Sequence, residues 1–119
     1  MLDIRVKRIY EPAADDDGTR ILVDRLWPRG VRRADACIDE WRRDAAPSSE
    51  LRRWFGHDPA RFETFASRYR AELAARPDTV EHLRNQARSG RLTLLYAARD
   101  TTCNHAHVLA NYLAGDDRY

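Results

Sequence analysis

The sequence predicts a small α/β sandwich built on a short, mostly parallel sheet, and three observations carry that prediction. Two apolar runs without alternation, RILVD (20–24) and RLTLLYAA (91–98), have the character of strands buried on both faces of a parallel sheet. The segment between them is patterned as helix, which a right-handed crossover between parallel strands requires. At 119 residues the chain is long enough for one hydrophobic core and too short for two, so a single domain over residues 1–119 is expected.

The first element is an edge strand, because Leu2, Ile4 and Val6 alternate with Asp3, Arg5 and Lys7 and leave one face wet. EPAADDDGT (11–19) is a turn-rich loop punctuated by Pro12 and Gly18, and it leads into the first central strand. Ile38 and Trp41 are expected in a short turn or helix before Pro47. Ser48 and Ser49 can cap a brief helix carrying Leu51, Trp54 and Phe55. Asp58 as N-cap and Pro59 as first helical residue open a longer helix. In it Phe62, Phe65, Tyr69 and Leu73 keep the three-and-four spacing of one buried stripe. Arg76-Pro77 ends that helix, and Asp78 is expected to cap the next, which carries Val80, Leu83 and Ala87 and stops at Gly90. Beyond the second central strand, a helix from about Cys103 turns Ala106, Leu109, Ala110 and Leu113 inward and ends at Gly115.

Composition narrows the class of function. Hydrophobic residues (43%) and charged residues (34%) are intermixed, so a folded domain is expected rather than a disordered chain. No apolar run approaches the roughly 20 residues of a membrane span, and MLDIRVKRIY lacks a signal-peptide core. A cytoplasmic protein without a membrane partner is therefore expected, with Cys37 and Cys103 as reduced thiols. The net charge of +2 does not demand a nucleic acid. All but one of the 21 basic residues are arginine; codon bias in a GC-rich genome accounts for that more simply than selection for bidentate capture of carboxylate or phosphate.

Position says more than composition. Ligands of open α/β sheets bind beyond the carboxyl ends of the strands, where this chain places DRLWPRG after one central strand and YAARDTTCNH after the other. Asp24 and Asp100 would then share one rim with Arg25, Arg29 and Arg99, beside a helix N-terminus that favours anions. Pro28 and Gly30 would fix the shape of the loop. Each candidate also has a plainer role. Asp24 and Asp100 can simply pair with Arg25 and Arg99, and His57 with Asp58 can close a turn instead of acting as a general acid or base. Trp27, Trp41 and Trp54 suit a core, although Trp27 between arginines can stack on a ring. Cys103, His105 and His107 have tempting spacing, but three ligands without a second cluster make no metal site, and no metal is expected. Cys103 reads as an ordinary cysteine before it reads as a nucleophile. No dinucleotide fingerprint, Walker A loop or nucleophile elbow occurs, so no cofactor is expected.

RIYEP, DGTRILVDRLWPRG, APSSELRRWFGHDP, YRAEL and TLLYAARDTTCNHAHVL, in this order over nearly the whole chain, resemble the DUF488 family and within it the YeaO-like group. The resemblance implies a compact α/β domain similar to a three-layer Rossmann-like fold, and it implies no reaction. The family's pattern, carried onto this chain, includes Asp24, His57 and Asp100, which the reading of the rim makes the candidate catalytic residues. It also includes Arg25, Trp27, Arg29, Arg52, Tyr96 and Asn104, the candidate ligand-binding residues of the same cleft. Arg32 and Arg33 stand where many relatives have lysine, so a role for a deprotonated amine has no residue here. Cys103, His105 and His107 lie outside the pattern and are expected to be dispensable.

The favoured function is binding of, or action on, a small ligand bearing phosphate or carboxylate, in a cleft lined by Arg, Asp and His. The alternatives are nucleic-acid binding through the basic stretch from Arg25 to Arg33, which lacks any recognisable reading motif, and a non-catalytic interaction module presenting aromatic residues.

Overall fold

The computed structural model describes residues 2–115. The alternating N-terminal segment forms β1 (Ile4–Arg8), and the two apolar runs form β2 (Thr19–Leu22) and, far downstream, β4 (Leu92–Tyr96). A two-residue strand, β3 (Glu40–Trp41), lies between the latter two in sequence. The sheet has the order β1-β4-β2-β3 and every pairing is parallel, with Val6 opposite Leu94 and Ile21 opposite Leu94 on the other side. The two unalternating runs are therefore the central strands and β1 is an edge, as their patterns predict. All five residues of β4 are buried.

Where the sequence suggests a turn or helix carrying Ile38 and Trp41, the structure has an irregular segment at Ile38 and β3 at Trp41. Two residues carry no periodicity of their own. This strand exists because the open edge of β2 offers it partners, with Asp39 N–H donating to the Arg20 carbonyl and Arg42 N–H to the Leu22 carbonyl, both at 2.8 Å.

Four α-helices follow the expected order: α1 (Ser49–Phe55), α2 (Phe62–Ala74), α3 (Pro77–Arg88) and, after β4, α4 (His105–Leu113). Ser48 caps α1 by accepting from Leu51 N–H. Asp58 accepts from Ala60 N–H at the start of a 3₁₀ turn, Pro59–Arg61, that runs straight into α2. The cap of α3 is Arg76, not Asp78. Pro77 occupies the first helical turn, where its missing N–H costs nothing, and this moves the boundary two residues earlier than the Asp78 reading. Asn104 caps α4 by accepting from His107 N–H.

The sheet has two differently covered faces. Ile21, Val23, Leu92 and Leu94 pack against the helices, whose stripe from Phe62 through Phe65 and Tyr69 to Leu73 is buried as its spacing predicts. Ile9, Leu22 and Leu95 point the other way, under Trp27, Val31, Ile38 and Trp41. The third layer is thus the loop between β2 and β3 rather than another helix. Trp27 and Trp41 meet edge to face at 5.2 Å, the Trp27 indole N–H donates to the Val31 carbonyl, and Arg33 lies over both rings. One glycine is indispensable to this arrangement. A Cβ on Gly18 would stand 2.2 Å from the Arg91 carbonyl oxygen, so the close approach of β2 to the start of β4 excludes any side chain there.

Candidate functional site

Parallel strands place their carboxyl ends on one side, and it is there that the chain becomes polar. Val23 N–H still donates to the Leu95 carbonyl at 3.1 Å, so Asp24 is the first residue beyond the ladder. Its carboxylate extends the ladder by one step, Oδ2 accepting from Ala97 N–H at 3.1 Å, while its own carbonyl accepts from the Trp41 indole N–H at 2.7 Å. Asp24 thereby ties together the ends of β2, β3 and β4.

Around this knot opens a cleft of two adjoining chambers that share Asp24, Leu26, His57, Ala97 and Ala98. The inner chamber, about 230 Å³, is walled largely by apolar groups, with Phe55 and Phe65 from α1 and α2 and Ala46-Pro47 opposite. The outer chamber, about 850 Å³, is wider and more polar, with Arg8, Arg29, Arg99 and Asp100 beside Tyr10 and Trp27. Leu26 and Tyr10, the two large hydrophobic side chains that are exposed among the described residues, both border it.

The arginines divide into two kinds. Arg25 donates through Nε to the Pro47 carbonyl at 3.0 Å and through Nη2 to the Ala46 carbonyl at 3.5 Å. Arg76 and Tyr69 hold the neighbouring carbonyls of Ala46 and Ala45, so that wall is rigid. Arg8 likewise donates to the carbonyls of Ala98 and Ala97. Arg29, Arg52 and Arg99 are different. Their guanidiniums make no hydrogen bond, ion pair or ring contact, a condition that only Arg53 and Arg70 share among the described arginines.

Two imidazoles line the cleft. His57 follows Gly56, and both are left-handed, with φ of 56° and 55°. A left-handed His costs about 1 kcal/mol, and the turn projects its ring to the border between the chambers. His105, the first residue of α4, reaches back under the sheet end. Its Nε2 lies 3.1 Å from the Val23 carbonyl oxygen and 3.1 Å from Asp24 Oδ1. Asp24 Oδ1 is buried and has no well-directed hydrogen bond of its own.

Three expected site residues are occupied otherwise. Asp100 Oδ1 accepts from Thr102 N–H, the Thr102 hydroxyl and Cys103 N–H, at 2.9 to 3.0 Å. The Cys103 and Thr102 amides hold its carboxyl below the usual aspartate value, and the residue shapes the loop ahead of α4. Asn104 is almost fully buried as the α4 cap, its Nδ2 donating to the Asp100 carbonyl, with one edge at the inner chamber. Tyr96 lines neither chamber. It is a core residue on the helix side of β4, where burial raises its phenol pKa. Among the described residues no group of three or more His, Cys, Asp or Glu could hold a metal ion. His107 Nε2 contacts the Thr101 carbonyl and Cys103 is half-buried.

With this geometry established, comparison with known proteins is decisive on kinship. A family model described as "DUF488-N3i: Inactive DUF488-N3 subclade" matches residues 3–117. The chain belongs to the DUF488 family. It is 47% identical over 112 residues to the uncharacterized protein YeaO of Escherichia coli (strain K12), covering 94% of this chain and 97% of that protein. It is 46% identical to the uncharacterized protein Rv3073c of Mycobacterium tuberculosis (strain H37Rv), covering 94% of each. No solved structure gives a significant match.

The family's motifs bring Asp24, Arg25, Trp27, Arg29, Arg52, His57 and Asp100 to one cleft. They do not bring His105, which the motif reading sets aside as dispensable and which the fold places against Asp24. The usable signal was Asn104. An N-cap immediately after the β4 loop puts the next residue at the carboxyl end of the sheet.

Proposed function

We propose that this member of the family binds a small ligand carrying a phosphate or carboxylate, and that the anionic group rests against Arg29, Arg52 and Arg99. The observation that carries the reading is their lack of any partner among the described residues, although carboxylates are abundant on the surface and most other arginines have a partner. Guanidinium groups left free around a concave site are suited to bidentate capture of such anions.

Binding without turnover is the form of the reading we favour. Among the described residues the cleft lining contains no Ser, Thr, Cys or Lys, so a covalent route through those side chains has no residue, and the matching subclade is described as inactive. The basic stretch from Arg25 to Arg33 offers less to a nucleic acid than its composition suggests. Arg25 is engaged with carbonyls, Arg32 is paired with Asp35 at 2.9 Å, and Arg33 is stacked on Trp27 and Trp41.

Inorganic phosphate, titrated into ¹⁵N-labelled protein, tests the reading. Saturable shifts confined to the amides around Arg29, Arg52 and Arg99 are expected. Shifts spread equally over the remaining basic surface, including Arg53 and Arg70, would overturn it.

A further inference from the structure

We propose that the ligand has two parts: the anionic group held by Arg29 and Arg99 of the outer chamber with Arg52 of the inner one, and a neutral ring-sized apolar group in the inner chamber that donates one hydrogen bond to His105 Nδ1. The proposal rests on the anion reading above and adds what the inner chamber selects.

Size and lining come first. An apolar protein cavity of about 150 Å³ accommodates benzene. The inner chamber, at about 230 Å³, has room for one substituted ring between Phe55, Phe65, Leu26 and Pro47. A purely apolar ring would fill it without using its polar floor.

That floor has a defined polarity. Nε2 of His105 faces two oxygen acceptors, the Val23 carbonyl and Asp24 Oδ1, each at 3.1 Å. A bare nitrogen lone pair between two oxygens is repelled by both, so Nε2 carries a hydrogen. In the neutral imidazole the other nitrogen, Nδ1, is then an acceptor. It has no partner among the described residues, and it is not among the buried unsatisfied atoms. Asp24 itself is held by Ala97 N–H, so the tautomer is set by a carboxylate that cannot swing away. The chamber thus presents apolar walls, one oriented acceptor and the unpartnered Arg52 guanidinium, which the anionic group of the same ligand engages. An O–H or N–H on the ring matches the acceptor, whereas a second anion would meet Asp24 and the bare nitrogen. Asp24 and His105 act here as positioning and binding groups; no bond is made or broken.

Four probes test this on the full chain: inorganic phosphate, phenol, phenyl phosphate and 4-hydroxyphenyl phosphate. Phenol should shift the resonances of Phe55, Phe65 and His105. The hydroxylated ester should bind about tenfold more tightly than phenyl phosphate, the worth of one hydrogen bond. His105→Phe should abolish that tenfold preference while leaving phenyl phosphate bound. If this variant fails to fold, the comparison of the two esters on the unmodified protein still decides. Equal affinity for the two esters, with phosphate still bound at the rim, would overturn the bipartite ligand and leave the anion reading standing. Phosphate and both esters failing to reach the rim would overturn both.

Discussion

Charges crowd both ends of this sheet, and the two ends treat them in opposite ways. Near the amino ends, Asp17 accepts from Lys7 at 3.1 Å and from Arg20 at 2.5 Å, Arg91 pairs with Asp3 at 2.9 Å, and the backbone N–H of Ala14 also donates to Asp17. Even a cavity on that side, lined by Lys7, Asp17 and Arg91, has these charges matched. At the carboxyl ends, the guanidiniums of Arg29, Arg52 and Arg99 have no partner, and Asp24 Oδ1 no well-directed donor, among the described residues. Matched charges hold the strands in register. Unmatched ones beside a cavity are the groups that the proposed anion would complete.

The amino-end network is where a substitution should do most damage to folding. Asp17→Asn takes the carboxylate away from the buried Arg20 and the half-buried Lys7 and is expected to cost about 3 kcal/mol, measured by urea unfolding. The pH dependence follows. Burial pushes the Asp17 pKa up, but hydrogen bonds from Ala14 N–H, Lys7 and Arg20 outweigh it and bring it below the ordinary 3.8. A depressed folded-state pKa gives stability that is complete above the unfolded value and is lost as pH falls through the folded one. Wild type should therefore lose stability steeply below about pH 4, and the variant less so. Identical acid limbs would show that the network contributes nothing.

A smaller cost is expected for Asp24→Ala, which leaves Ala97 N–H without its acceptor and takes the carboxylate away from His105, about 1 to 2 kcal/mol. If this change proves harmless, the two ends are less alike in construction than their shared strand linkage suggests. His57→Gly should have the smallest effect and the opposite sign. It removes a left-handed non-glycine residue and should add about 1 kcal/mol of stability. It should also weaken phosphate binding, since the ring stands between the chambers. A loss of stability would mean that the ring's contact with Phe55, at 6.0 Å between centroids, outweighs the strain.

How much of this was legible in the sequence depends on how local each signal is. The runs around Ile21 and Leu94 declare themselves as central strands because every residue is apolar, and the Phe62 stripe declares α2 because one helical face repeats. β3 was not legible, since two residues have no period and are defined by β2's edge. Asp24, Arg29 and Asp100 could be assigned to one cleft because strand ends lie together in any parallel sheet. Tyr96 could not be excluded that way, because whether it faces the helices or the cleft depends on one residue of register. Nor could the difference between Arg25 and Arg29, four residues apart. One reaches carbonyls contributed by residues 46 and 47, more than twenty positions away, and the other reaches none.

The most direct test of the contrast between matched and unmatched charge is a thermal melt of the triple variant Arg29→Ala/Arg52→Ala/Arg99→Ala, with and without inorganic phosphate. Arg53→Ala/Arg70→Ala, the other unpartnered pair, serves as control. Phosphate bound to the folded state should raise the melting temperature of wild type and control but not of the triple variant. Without phosphate, the triple variant should match wild type to within about 0.5 kcal/mol, because it removes no hydrogen bond, ion pair or ring contact among the described residues. A triple variant that melts far below wild type in phosphate-free buffer, or that keeps the full phosphate shift, would contradict the account.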